Sequence, residues 1–91
     1  MNRQLTLYYR DDCCLCEEMK STIGAVAAMI PLDLEAVDVD SSASLKEKYG
    51  TEVPVLFIDG RKAFKYRMTA KQLKQSLRRR THWARLGFRA L

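Results

Sequence analysis

Arg10-Asp11-Asp12-Cys13-Cys14-Leu15-Cys16 holds every cysteine of the 91-residue chain. It follows a short apolar run in which Leu5, Leu7 and Tyr9 alternate with Thr6 and Tyr8, a pattern that reads as a strand able to bury both faces. It precedes a helical pattern, since Leu15, Met19, Ile23, Val26 and Ile30 fall on one stripe at steps of three or four. The stretch is therefore a strand-to-helix turn with Cys13 at the helix start. The first N–H groups of a helix have no internal partner and carry partial positive charge, so they favour a thiolate over a thiol. Moving a thiol from about 8.5 to about 6 corresponds to about 3 kcal/mol of preference for the thiolate. Arg10 adds to that preference, while Asp11 and Asp12 oppose it.

Two thiols separated by two residues across a helix start can close into a disulfide, because Cys16 comes round one turn below Cys13. The spacing assigns Cys13, at the exposed end, as the nucleophile and Cys16 as the residue that resolves its mixed disulfide. Cys14 reads as an exposed bystander. The alternatives at this point are a structural pair of small buried side chains and a soft metal site, for which no second cysteine pair or histidine lies nearby.

Working outward, Pro31 stops the helix, and Leu32 to Asp40 reads as a second strand, with Leu34 and Ala36 on one side and Val37 and Val39 on the other. Asp40 and Ser41 are N-cap types and Gly50 a C′ type, which predicts a helix over 42–49 with Leu45 and Tyr49 facing inward. Val53 to Ile58 is β-branched and aromatic and ends at Asp59-Gly60, a hairpin signal, before a basic strand from Arg61 to Tyr66. Thr69 can cap a last helix with Leu73 and Leu77 inward, above Lys71, Lys74, Arg78 and Arg79. The order is β-α-β-α-β-β-α.

Composition fits one small globular domain, with 47% hydrophobic and 30% charged residues. No leader pattern opens the chain, and no stretch approaches the roughly 20 apolar residues of a membrane span. Three clustered cysteines cannot staple distant loops, which suits a reducing, cytoplasmic setting. The net charge of +5 is concentrated late: residues 61–91 hold eleven Lys or Arg and no Asp or Glu. Arg78-Arg79-Arg80 lacks the aromatic strand or recognition helix of a nucleic-acid reader, so no nucleic-acid partner is expected. The domain is expected over residues 1–80, with a basic, aromatic tail over 81–91 that contains His82 and Trp83 and packs on or extends the last helix.

The dithiol Cys13–Cys16 after a strand, the Val53-Pro54 pair at the start of the third strand, and the Phe57-Ile58-Asp59-Gly60 hairpin resemble a glutaredoxin of the thioredoxin superfamily over residues 4–80. The resemblance implies an α/β, thioredoxin-like three-layer fold, a four-stranded mixed sheet flanked by helices. It also implies glutathione as co-substrate and reductant, and reduction of protein or small-molecule disulfides; apart from the resemblance, a monomer with no bound cofactor or metal is expected. Carried over residue by residue, it gives Arg10 a ligand carboxylate, adds Tyr8 to the binding site, and has Val53, before a cis Pro54, present its backbone to the peptide part of the ligand. Thr69 would leave free N–H groups for a carboxylate at the last helix. The chain departs from the family pattern at Glu52, where Thr or Ser is usual, at Cys14, where Pro is usual, and at Phe64 to Thr69, where a Gly-Gly segment is usual. A different class of function is a redox-fold binding module whose basic helix and tail dock on an acidic partner; metal or iron–sulfur handling is a third.

Overall fold

A computed structural model describes residues 2–78. β1 (Arg3–Tyr9) leads through a turn to α1 (Cys14–Ala27), followed by β2 (Leu32–Asp38), a 3-10 turn (Val39–Ser41) and α2 (Ala43–Tyr49). The hairpin strands β3 (Val55–Ile58) and β4 (Arg61–Lys65) come next. A last helix, α3, runs through residues 70–78, where the described residues end. The expected boundary at residue 80 and the 81–91 tail lie outside them.

The four strands form one mixed sheet in the order β2-β1-β3-β4. β1 runs parallel to β2, with Leu5 opposite Leu34, and antiparallel to β3, with Tyr8 opposite Val55. Parallel neighbours need a crossover, and α1 supplies it. Leu5, Leu7, Leu56 and Ile58 share one sheet face and join Met19, Ile23 and Val26 of α1 with Leu73 and Leu77 of α3 in the main core. Each such side chain contributes about 1.5–3 kcal/mol through burial. α2 covers the opposite face, where the Tyr8 ring stacks on Tyr49 with centroids 4.6 Å apart and Phe57 meets both rings edge-on. Two helices on one side and one on the other make the three layers. The fold is α/β and thioredoxin-like, as expected.

Several local expectations are corrected. The buried stripe of α1 is Cys16, Met19, Ile23 and Val26; Leu15 sits one position round from it, half-buried. Ile30 lies past the end of α1 but still packs on the core. β2 stops at Asp38 and is mostly exposed, Leu34 by 42%, because it is an edge strand that the helices cover only partly. The cap of α2 is Ser42, whose Oγ accepts from the Leu45 N–H at 3.3 Å. Asp38 caps the 3-10 turn instead of Asp40 or Ser41 capping a helix. Gly50 ends α2 with φ −55°, in the right-handed region, since the chain continues into a further turn. β3 starts at Val55, not Val53, and β4 ends at Lys65, one residue short of Tyr66.

The hairpin turn is Asp59-Gly60 with φ 50° and 84°, both positive as a two-residue primed turn requires. Asp59 also accepts from the Gln4 N–H and from Arg3 Nε, which ties the hairpin to β1. No helix among the described residues is long and apolar enough to cross a membrane.

Candidate active site

β1 delivers the chain to Tyr9; Arg10 to Asp12 then turn it into α1, with Asp12 in the left-handed region at φ 59°. Cys13 is the N-cap of α1, with extended φ and ψ of −118° and 107°. Its Sγ accepts the Cys16 N–H at 3.1 Å, the bond a serine or aspartate cap would take. Cys13 and Cys16 are joined as a disulfide with Cα atoms 5.2 Å apart. Cys13 is half-buried, Cys16 has no exposure, and Cys14 is free and exposed. One sulfur therefore faces outward and receives a helix N–H, while the other lies under it in the core.

The sheet register sets the second wall. Tyr8 pairs with Val55, so Val53 and Pro54 lie beside the end of β1, at the edge from which Cys13 emerges. The Val53–Pro54 peptide bond is cis. The Pro54 carbonyl accepts from the Tyr66 N–H at 2.9 Å, fastening the loop to the end of β4. Among the described residues the Val53 N–H and C=O have no hydrogen-bond partner.

The other residues singled out from the sequence are engaged internally. Tyr8 lies in the aromatic cluster under α2. Arg10 is paired with Asp40 and donates to the Gly50 carbonyl at 3.4 Å. Thr69 and Gln72 form a reciprocal cap: Thr69 Oγ1 accepts the Gln72 N–H at 3.1 Å, and Gln72 Oε1 accepts the Thr69 N–H at 2.9 Å. That motif was readable as a Thr followed three residues later by Gln. Exposed Asp11 and Asp12 bring negative charge next to Cys13.

The sequence matches the glutaredoxin-like domain family (DUF836) over residues 4–78. The chain belongs to that family. The glutaredoxin-like chain is 35% identical to a Northeast Structural Genomics target protein from X. campestris, covering 80% of this chain and 93% of that one with a TM-score of 0.69. It is 25% identical over 83 residues to an uncharacterized protein of Mycobacterium tuberculosis, covering 86% of each. Thioredoxin 1 from Thermosipho africanus, at 18% identity, shares the fold alone, with a TM-score of 0.66 over 90% of this chain and 98% of that one.

Two features of this glutaredoxin-like chain escaped the sequence reading. Glu52, next to Val53, is paired with Lys62 of β4 at 2.8 Å. The hydrogen bond from Lys62, with its charge and that of Lys65, lowers the Glu52 carboxyl below its ordinary range, and Lys62 is raised in turn by its bond to Glu52. Nothing in the spacing of residues 52 and 62 announces the pair, which joins the loop before β3 to β4. The second feature is Tyr66, with φ 68° although it is not glycine.

Proposed function

We propose that the chain is a thiol–disulfide oxidoreductase in which Cys13 attacks and Cys16 resolves. The observation that supports it best is the cap geometry: the Cys13 sulfur receives the Cys16 N–H at the positive end of α1, above a fully buried Cys16. In the reduced protein the Cys13 thiolate attacks one sulfur of a substrate disulfide, forming a mixed disulfide and releasing the first substrate thiolate. Deprotonated Cys16 then attacks Cys13 Sγ, which closes the Cys13–Cys16 disulfide and releases the second thiolate. The substrate gains two electrons and the protein loses two. A thiol reductant, two molecules of glutathione or one dithiol, returns them.

Val53 serves the partner through its backbone, since an extended peptide lying along residue 53 can pair with its free N–H and C=O. Tyr8 and Arg10 hold the β1 end in place through the contacts described above.

The test is trapping. Cys16→Ser is expected to accumulate a mixed disulfide on Cys13, visible by mass spectrometry of the intact protein and reversed by a dithiol. Cys13→Ser is expected to lose disulfide reduction altogether. Full activity in Cys13→Ser would sink the proposal.

A further inference from the structure

Tyr66 holds a backbone conformation that tyrosine adopts only under strain. Its φ is 68°, and the Arg67 N–H donates to the Lys65 carbonyl at 2.8 Å, closing a γ-turn centred on Tyr66. With φ positive this is the rare, strained form of the turn, and a residue without a side chain would suit it better. Core packing does not offset the strain, because the residue is 42% exposed. Its ring meets the Lys65 ammonium, 5.3 Å from the centroid. The same residue donates its N–H to the Pro54 carbonyl, so its backbone lies one strand away from the Val53–Pro54 wall of the dithiol site. Strain kept at an exposed aromatic whose backbone is tied to the Val53–Pro54 loop points to a role outside the folded chain.

We infer that Tyr66 is a specificity-determining residue: its ring is a platform for the polypeptide that flanks a protein disulfide, and it selects protein disulfides over small ones. The inference rests on the thiol–disulfide reading of Cys13 and Cys16. A peptide that pairs with the Val53 backbone as an added strand runs past Pro54 toward the end of β4, where an apolar side chain can lie on the ring. Tyrosine suits the task, with large contact area and little side-chain entropy to lose. A small symmetrical disulfide reaches Cys13 without extending that far.

The experiment compares reduced protein reacting with insulin and with bis-hydroxyethyl disulfide, a dithiol supplying the electrons, in wild type, Tyr66→Gly and Tyr66→Phe. Tyr66→Gly is expected to slow insulin reduction about tenfold. Its rate with the small disulfide is expected to stay at the wild-type value, and its Tm to stay level or rise as the turn relaxes. Tyr66→Phe keeps the ring and both rates. An unchanged insulin rate in Tyr66→Gly would overturn the inference. So would a lowered Tm with both rates falling together, the signature of a structural role. If the wild type reduced neither substrate, the underlying reading would fail and this one with it, whereas normal small-disulfide chemistry without selectivity would leave the dithiol mechanism standing and remove only the role of Tyr66.

Discussion

Arg10 and Asp40 meet at two points, Nε to Oδ2 and Nη2 to Oδ1, each at 3.2 Å. A third donor, Nη1, reaches the Gly50 carbonyl at 3.4 Å. The guanidinium thus clamps the end of β1 to the 3-10 turn and the end of α2, just before the chain turns into Cys13. Its charge is balanced by Asp40, and Lys46 lies 4.0 Å from the same carboxylate. The cation nearest Cys13 in sequence is therefore committed to an internal carboxylate.

Removing the Asp40 charge should release that cation. Asp40→Asn keeps the shape of the side chain but leaves Arg10 free to attract an anionic disulfide. Relative to a neutral disulfide, the rate with oxidised glutathione is expected to rise about two- to fivefold at low salt, the equivalent of one freed surface charge. The gain should fade in about 1 M salt, where the Debye length falls to about 3 Å. Both side chains are more than a third exposed, so the loss of stability should stay within about 1 kcal/mol. Stopped-flow thiol release with the two disulfides measures the ratio; no change at low salt would show that Arg10 does not act on anionic partners.

The features legible in the sequence were those written into neighbouring residues. Cys13 and Cys16 declare themselves by their spacing after a strand. Met19, Ile23 and Val26 are fixed by helical periodicity, the hairpin by Asp59-Gly60, and the last cap by Thr69. The illegible features depend on which strands become neighbours. Leu34 and Ala36 on one side of β2 and Val37 and Val39 on the other suggest either a slip or burial on both faces, whereas its place at the sheet edge leaves most of it exposed. The stacking of Tyr8 on Tyr49 has no local signal, since it forms only when α2 returns over the sheet. Asp40 reads as a cap until the end of β1 brings Arg10 against it. In each case a partner distant in sequence decided how the residue is used.

The Glu52–Lys62 pair gives the site loop a dependence on pH. Glu52 is held below its ordinary value of 4.5, first by the Lys62 hydrogen bond and then by the Lys62 and Lys65 charges. A lowered carboxyl contributes stability that is fully present above its unfolded pKa and is lost as pH falls through the folded one. Lys62, raised above 10.5, contributes below that value and loses its contribution as pH rises past the raised one. Thermal unfolding of wild type and Lys62→Met should therefore differ most on the plateau between these limits, with the curves converging as pH drops below 4.5. The difference should be small, as for any exposed ion pair. Curves that stayed parallel down to pH 2 would remove the pair as the cause.

The reciprocal cap at Thr69 and Gln72 fixes where α3 begins, and α3 carries Leu73 and Leu77 into the core. A hydroxyl that accepts a helix N–H is worth about 1 kcal/mol over alanine, so Thr69→Ala should lower the Tm by about 4–8 °C in a domain of this size. Thr69→Ser keeps the oxygen and should lose little. Gln72→Ala removes only the returning bond to the Thr69 N–H and should cost less than Thr69→Ala. Because the two bonds hold the same turn, the double alanine variant should lose less than the sum of the single losses. Chemical denaturation of the four variants provides the cycle. Strict additivity would show that the two side chains cap the helix independently, and the start of α3 would then owe its position to Leu73 and Leu77 packing instead of to the cap.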